Sequence, residues 1–195
     1  MKTLMFVGRK GGVGRSVLAH RLAEYWSKDR PVHLETDPES PTDAELAKAL
    51  GLGKSDAPEL TIVDTSRHDE ARPGLGVADL VVVPLIPCAP DMRTTSAFLR
   101  ELPPELLART AFLPNMVSWS RYGEKPLNAH GEALTELDAL SAELGMQPRL
   151  PCVSRSRLFE DVSPWFDTER GGKPMRRVRS EVARLATAVE QRLGA

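Results

Sequence analysis

"GRKGGVGRS", residues 8–16, is the stretch on which the reading of this chain turns. The apolar run "TLMFVG" (3–8) leads into it, and Val17, Leu18, Leu22 and Tyr25 or Trp26 recur at helical spacing beyond it. That order predicts a buried parallel strand, a tight turn and a helix over about 15–27. Turn N–H groups that face the positive end of a helix make an anion site. Gly11, Gly12 and Gly14 let the backbone wrap closely, because no Cβ stands in the way. Ser16 stands where a hydroxyl would join the shell of a Mg²⁺ ion. Any tight strand-to-helix turn uses glycine, so the rest of the chain has to decide between a fold device and a phosphate cradle.

Three further features favour the cradle. The apolar run "LTIVDTS" (60–66) places Asp64 at the C-terminal end of a second buried strand, where a carboxylate can hold a metal through water. "PVHLET" (31–36) predicts another strand and runs straight into Asp37 and Pro38, at the same sheet edge. Lys10 adds a second cation inside the turn. Each acid could instead cap the element that follows it.

The rest of the chain keeps the alternation. "DAELAKALGL" (43–52) predicts a helix, "ADLVVVPLIP" (78–87) a strand and "DMRTTSAFLREL" (91–102) a helix. "TAFLPNMV" (110–117) predicts a strand, 128–144 a helix, 147–152 a short strand and 174–193 a final helix. Strand and helix in turn call for an α/β fold, a three-layer, doubly wound and mostly parallel sheet with helices on both faces. No repeat or linker divides the chain, which predicts one domain over residues 1–195.

Composition excludes several classes. With 41% hydrophobic and 27% charged residues and a formal net charge of −1, the chain as a whole is no nucleic-acid binder by charge. The charge is tilted, however. Residues 151–195 hold nine Arg and Lys against six Asp and Glu, and the first 150 hold 17 against 21. Cys88 and Cys152 form no CxxC pair, which argues for reduced thiols in a cytoplasmic protein. The four histidines at 20, 33, 68 and 130 are scattered. No apolar run approaches the ~20 residues that span a bilayer, and the start predicts a first strand rather than a signal peptide.

Taken together, "RKGGVGRS" (9–16), "VHLETDPESP" (32–41), "TIVDTS" (61–66) and "ADLVVVPLIPCAPD" (78–91) resemble the ParA/MinD superfamily of deviant Walker A P-loop ATPases. The length and immediate first strand look most like the small, single-domain, ParF-like ParA proteins of plasmid partition. The resemblance covers about 3–117 clearly and continues more weakly through "RLPCVSRSRLFED" (149–161). It implies a P-loop NTPase fold, ATP and Mg²⁺ as cofactors, and a homodimer that sandwiches ATP. It also implies non-specific DNA binding, and hydrolysis stimulated by a centromere-binding or other adaptor protein. Lys10 matches the signature lysine that reaches the partner subunit's phosphates. Gly11, Gly12, Val13, Gly14, Arg15, Ser16 and Val17 match the nucleotide-binding turn, and Asn115 falls near the adenine-binding strand end. Ser16, Asp37 and Asp64 match the residues around the metal, and Asp37 also matches the carboxylate that positions the attacking water.

The departures concern chemistry more than binding. Arg15 stands where the family has a lysine. A guanidinium keeps the charge but is larger and planar and prefers a bidentate grip, so the expectation is nucleotide binding with weak hydrolysis. Glu35, Glu39 and Ser66 also differ from the family pattern, more mildly.

Two surfaces remain. Val178, Val182, Leu185, Val189 and Leu193 form one stripe of the last helix, valine-rich and without Phe or Trp, which predicts packing on the domain rather than a MinD-like membrane anchor. Arg176, Arg177, Arg179 and Arg184 lie mostly outside that stripe. They are candidates for DNA phosphates, as in ParA dimers, and would make the protein nucleoid-associated. Trp119, Arg121 and Tyr122 on one loop, and Trp165 with Phe166 on another, fit core-edge or dimer contacts better than base stacking. The alternative readings are a nucleotide-gated scaffold whose Arg15 abolishes turnover, and a MinD- or Mrp-like ATPase at a membrane or on metal clusters.

Overall fold

The computed structural model describes residues 1–8, 11–36, 57–65, 75–119, 126–156 and 173–194. Five strands form one sheet: β1 (Lys2–Phe6), β2 (Val32–Glu35), β3 (Leu60–Asp64), β4 (Leu80–Leu85) and β5 (Thr110–Pro114). Their spatial order is β2-β3-β1-β4-β5 and every pairing is parallel. Among the described residues five helices accompany them: α1 (Arg15–Trp26), α2 (Ala89–Leu99), α3 (Pro104–Leu107), α4 (Asn128–Glu143) and α5 (Lys173–Leu193).

Alternate residues of each strand feed two separate cores, as a strand's period of two requires. Leu4 and Phe6 of β1, Leu80 and Val82 of β4, and Ala111 and Leu113 of β5 pack with α1 and α5. Met5, Val81, Val83 and Phe112 point the other way and pack with α2 and α4. The expected three-layer, doubly wound sheet is therefore what the chain adopts. The helix after β1 lies on one face and the helix after β4 on the other, so the winding reverses at β1. In open α/β sheets that switch point, outside the carboxyl ends of the strands, is where a crevice opens.

The final helix seats as its stripe predicts. Val178, Val182, Leu185, Val189 and Leu193 are all buried. At its far end Trp26 Nε1 donates to Glu190 Oε1 at 2.8 Å, and the same oxygen takes a bond from Arg30, whose guanidinium lies over the Trp26 ring.

Three details depart from the sequence reading. Helix α1 is covered nearly all round rather than on one stripe, with Leu18, Leu22 and Trp26 buried but also His20, Arg21 and Glu24. The buried charges are matched: Arg21 Nη1 donates to Glu24 Oε2 at 2.7 Å. A two-proline pause after α2 opens the unexpected short helix α3, with Pro104 at its first position, where the missing N–H costs nothing. The expected strand at 147–152 is irregular backbone instead. Gln147, Leu150 and Val153 donate their N–H groups to the carbonyls of Thr110, Phe112 and Pro114 on β5. Pro148 and Pro151 interrupt a regular ladder, since proline has no N–H to give. The helix expected over 43–52 lies outside the described residues, as do the loop residues Arg121, Tyr122, Trp165 and Phe166.

Candidate functional site

The glycine turn sits at the carboxyl ends of the three central strands. Register pairs Phe6 with Asp64, so the acid that ends β3 lies beside the exit of β1. Val7 N–H continues the ladder by donating to the Val82 carbonyl of β4. The chain then turns through Gly11–Gly14 into α1. No side chain caps this helix and its first turn carries no acid, so the positive end of its dipole faces the crevice uncompensated.

Gly14 has to be glycine. Its φ is +80°, a left-handed conformation in which a side chain is strained. A Cβ there would also lie 2.4 Å from Nδ2 of Asn115. That asparagine, 4% exposed at the end of β5, donates to the Val13 carbonyl oxygen at 2.8 Å. It clamps the turn to the sheet from a point 102 residues along the chain. The following residue, Met116, has φ +54°, an uncommon conformation for a residue with a side chain. Its Cε lies 3.8 Å from the place a Gly14 Cβ would occupy. Nothing in the sequence flagged Met116, because a left-handed methionine leaves no compositional trace.

Arg15, the first residue of α1, turns back beneath the turn. Its Nε donates to Asp64 Oδ1 at 2.9 Å, and its Nη1 donates to the Gly8 carbonyl oxygen at 3.0 Å. The side chains are 12% and 2% exposed, so the pair is largely shielded from water. Gly8 as an acceptor is a second residue that the sequence reading missed. One turn on, His20 meets the Ser16 carbonyl at 2.7 Å through Nδ1. A carbonyl only accepts, so that nitrogen carries the proton. Thr65 closes the strand edge, its hydroxyl donating to the Phe6 carbonyl at 2.9 Å.

The structure thus brings Gly11, Gly12, Val13, Gly14, Arg15, Ser16, Val17, Asp64 and Asn115 to one end of the sheet, while Lys10 and Asp37 lie outside the described residues. Ser16 and Asp64 are the described residues of the expected metal set, and Asp64 is already ion-paired to Arg15. Among the described residues no group of three or more His, Cys, Asp or Glu is placed to hold a metal ion.

Beyond Asn115 the same sheet edge opens into two clefts. One of about 410 Å³ lies between Val117–Trp119, Ser154–Ser156 and the start of α5. The other, of about 190 Å³, shares Ser118 and Arg155 and reaches His130. Val117 and Ser154 form a parallel bridge. Glu181 of α5, 5% exposed, fastens that bridge. Its carboxylate accepts the Ser154 N–H at 2.8 Å, the Ser154 hydroxyl at 2.6 Å and Arg177 Nε at 3.1 Å.

The arginines of α5 divide by use. Arg176 and Arg184 are exposed and Arg179 is half-buried, whereas Arg177 spends donors on Glu181 and Ser154. Arg192 caps the carbonyls of Ala188, Pro148 and Arg149, and burial lowers its pKa. Both cysteines are free and half-buried. Burial pushes the Cys152 thiol up, against the pull of Arg149, which makes it a poor nucleophile. Among the described residues no helix is long and apolar enough to cross a membrane.

No protein-family model matches the chain, and no curated protein matches it in sequence. Solved structures match its fold. The MinD cell division protein of Aquifex aeolicus superposes with a TM-score of 0.67 at 12% identity, covering 98% of each chain. An ATP complex of a McdA variant from Cyanothece gives 0.66 at 15% identity, over 100% of this chain and 96% of the other. The ParA of pNOB8, bound to non-specific DNA, gives 0.59 at 14% identity, over 96% and 99%. The fold is therefore that of the ParA/MinD-type P-loop ATPases.

Proposed function

We propose that this chain is a single-domain ParA-type ATPase, a cytoplasmic switch that closes as a homodimer on ATP and then binds DNA without reading sequence. The observation that carries the reading is the clamped turn. Asn115 holds the Val13 carbonyl across Gly14 and so fixes the turn at the uncapped start of α1, where the open N–H groups of a helix start make a seat for phosphate. The ATP complex of the McdA variant and the DNA complex of pNOB8 ParA, both of this fold, support the nucleotide and the partner.

In this reading Gly11, Gly12, Val13, Gly14 and Ser16 hold the β- and γ-phosphates, Val17 flanks them, and the cleft beyond Asn115 takes the base. Lys10 reaches the partner subunit's phosphates and Asp37 aligns the attacking water. Arg176, Arg177, Arg179 and Arg184 face DNA phosphates, Arg177 with part of its guanidinium already spent on Glu181 and Ser154. A centromere-binding or other adaptor protein resets the cycle by stimulating hydrolysis. Of the expected Mg²⁺ set, Asp64 is the described residue that does not fit the metal as it stands: the Arg15 guanidinium already neutralises it.

The test is a gel shift on random-sequence DNA without nucleotide, with ADP and with ATP. ATP-dependent retardation is the expected result, and retardation indifferent to nucleotide would overturn the switch. The Arg15–Asp64 pair favours one second reading, a nucleotide-gated scaffold that binds ATP without turning it over. A parent protein with no ATPase activity and an active Arg15→Lys variant would establish it.

A further inference from the structure

The Arg15–Asp64 pair bears on a question that the nucleotide reading leaves open: what neutralises the acid at the mouth of the turn. A carboxylate next to a triphosphate repels it, and a divalent cation between the two is the usual remedy. Here the acid is met from within the chain. Arg15 Nε lies 2.9 Å from Asp64 Oδ1, within the range of a charge-assisted hydrogen bond. Its Nη1 is held at 3.0 Å by the Gly8 carbonyl, so two anchors aim the guanidinium at the strand end. Asp64 is 4% exposed, and among the described residues Arg15 is its one hydrogen-bond donor. Water screens such a shielded pair poorly.

A cation reaching Asp64, directly or through water, would share the same small space with the guanidinium. Two cations would then compete for one carboxylate. A lysine in this position could swing away on its flexible stem, whereas the planar fork of arginine is held by Asp64 and the Gly8 carbonyl.

We propose that Arg15 replaces the divalent cation at Asp64, so that this turn binds the triphosphate of ATP without metal. The inference rests on the nucleotide reading above and concerns what that site requires. Arg15 is then a specificity-determining residue. It sets which charge state of the nucleotide the site accepts, the metal-free tetra-anion as readily as the magnesium complex.

Calorimetric titration of ATP into the full chain, once with Mg²⁺ and once with EDTA, tests this without any reference to turnover. The expected result is a Kd that changes by less than about threefold between the two buffers. In Arg15→Lys the carboxylate is open to metal, and EDTA should weaken binding by about tenfold or more. Circular dichroism checks that the variant is folded. A parent that binds ATP only with Mg²⁺ overturns the proposal and leaves the nucleotide reading standing. A folded parent that binds ATP in neither buffer overturns both.

Discussion

Asp64 and Glu181 are buried to nearly the same degree and each meets an arginine, yet they have opposite characters. Glu181 is saturated by the protein: a backbone N–H, a hydroxyl and a guanidinium converge on its two oxygens. The arginine that meets it, Arg177, has a side chain 52% exposed, so the buried end of the network is neutralised by a group that stays largely in water. Among the described residues Asp64 takes one bond, from an arginine whose side chain is 12% exposed and which starts the helix at the turn itself. The first carboxylate is a joint between α5 and the segment beside β5. The second lies where a ligand would meet it, at the carboxyl edge of the sheet beside an uncapped helix. A buried acid paired with arginine is thus no functional signal on its own. What separates the two is how many protein donors each has and whether an anion seat adjoins it.

The sharpest way to break this contrast is to remove the joint. Glu181→Ala should cost about 3 kcal/mol in urea unfolding, because it strands a buried N–H, a hydroxyl and the end of a guanidinium together. A loss below about 1 kcal/mol would mean that water replaces the carboxylate, and Glu181 would then resemble Asp64 more than the contrast allows.

The next largest effect lies at the turn. Gly14→Ala combines a left-handed φ with a Cβ 2.4 Å from Asn115 Nδ2, and should cost about 2 kcal/mol. The double variant Gly14→Ala/Asn115→Ala relieves the clash but not the backbone strain. It should be more stable than the sum of the two single losses predicts, by about 1 kcal/mol in the same assay. Simple additivity would show that the clamp and the turn are independent. The smallest effects belong to the exposed arginines. Arg176→Ala and Arg184→Ala should leave the unfolding midpoint almost unchanged while weakening any retardation of DNA at low salt.

Much of this was legible in the sequence, for reasons of period and punctuation. The runs ending at Gly8, Asp64 and Leu85 have no alternative to a buried parallel strand, and the valine stripe of α5 fixes which side of that helix is hidden. Asn115 was singled out through the family resemblance alone, and the sequence could not show that it holds Val13, since the contact joins segments far apart in the chain. Arg15 was visible as a departure. Its destination was not, because an arginine at the start of a helix can reach either a ligand or a strand end. The failures cluster where proline interrupts a pattern. Pro104 starts a short helix where no element was expected, and Pro148 and Pro151 undo a strand expected over 147–152.

That undone strand has a use. β5 is an edge of an all-parallel sheet, and an open edge is a template on which another chain can add a strand and begin to aggregate. The segment from Gln147 to Val153 occupies the carbonyls of Thr110, Phe112 and Pro114, while two of its own residues can donate nothing to a further strand. Among the described residues it ends the sheet without becoming a new edge, a safeguard against edge-to-edge pairing between copies of the chain.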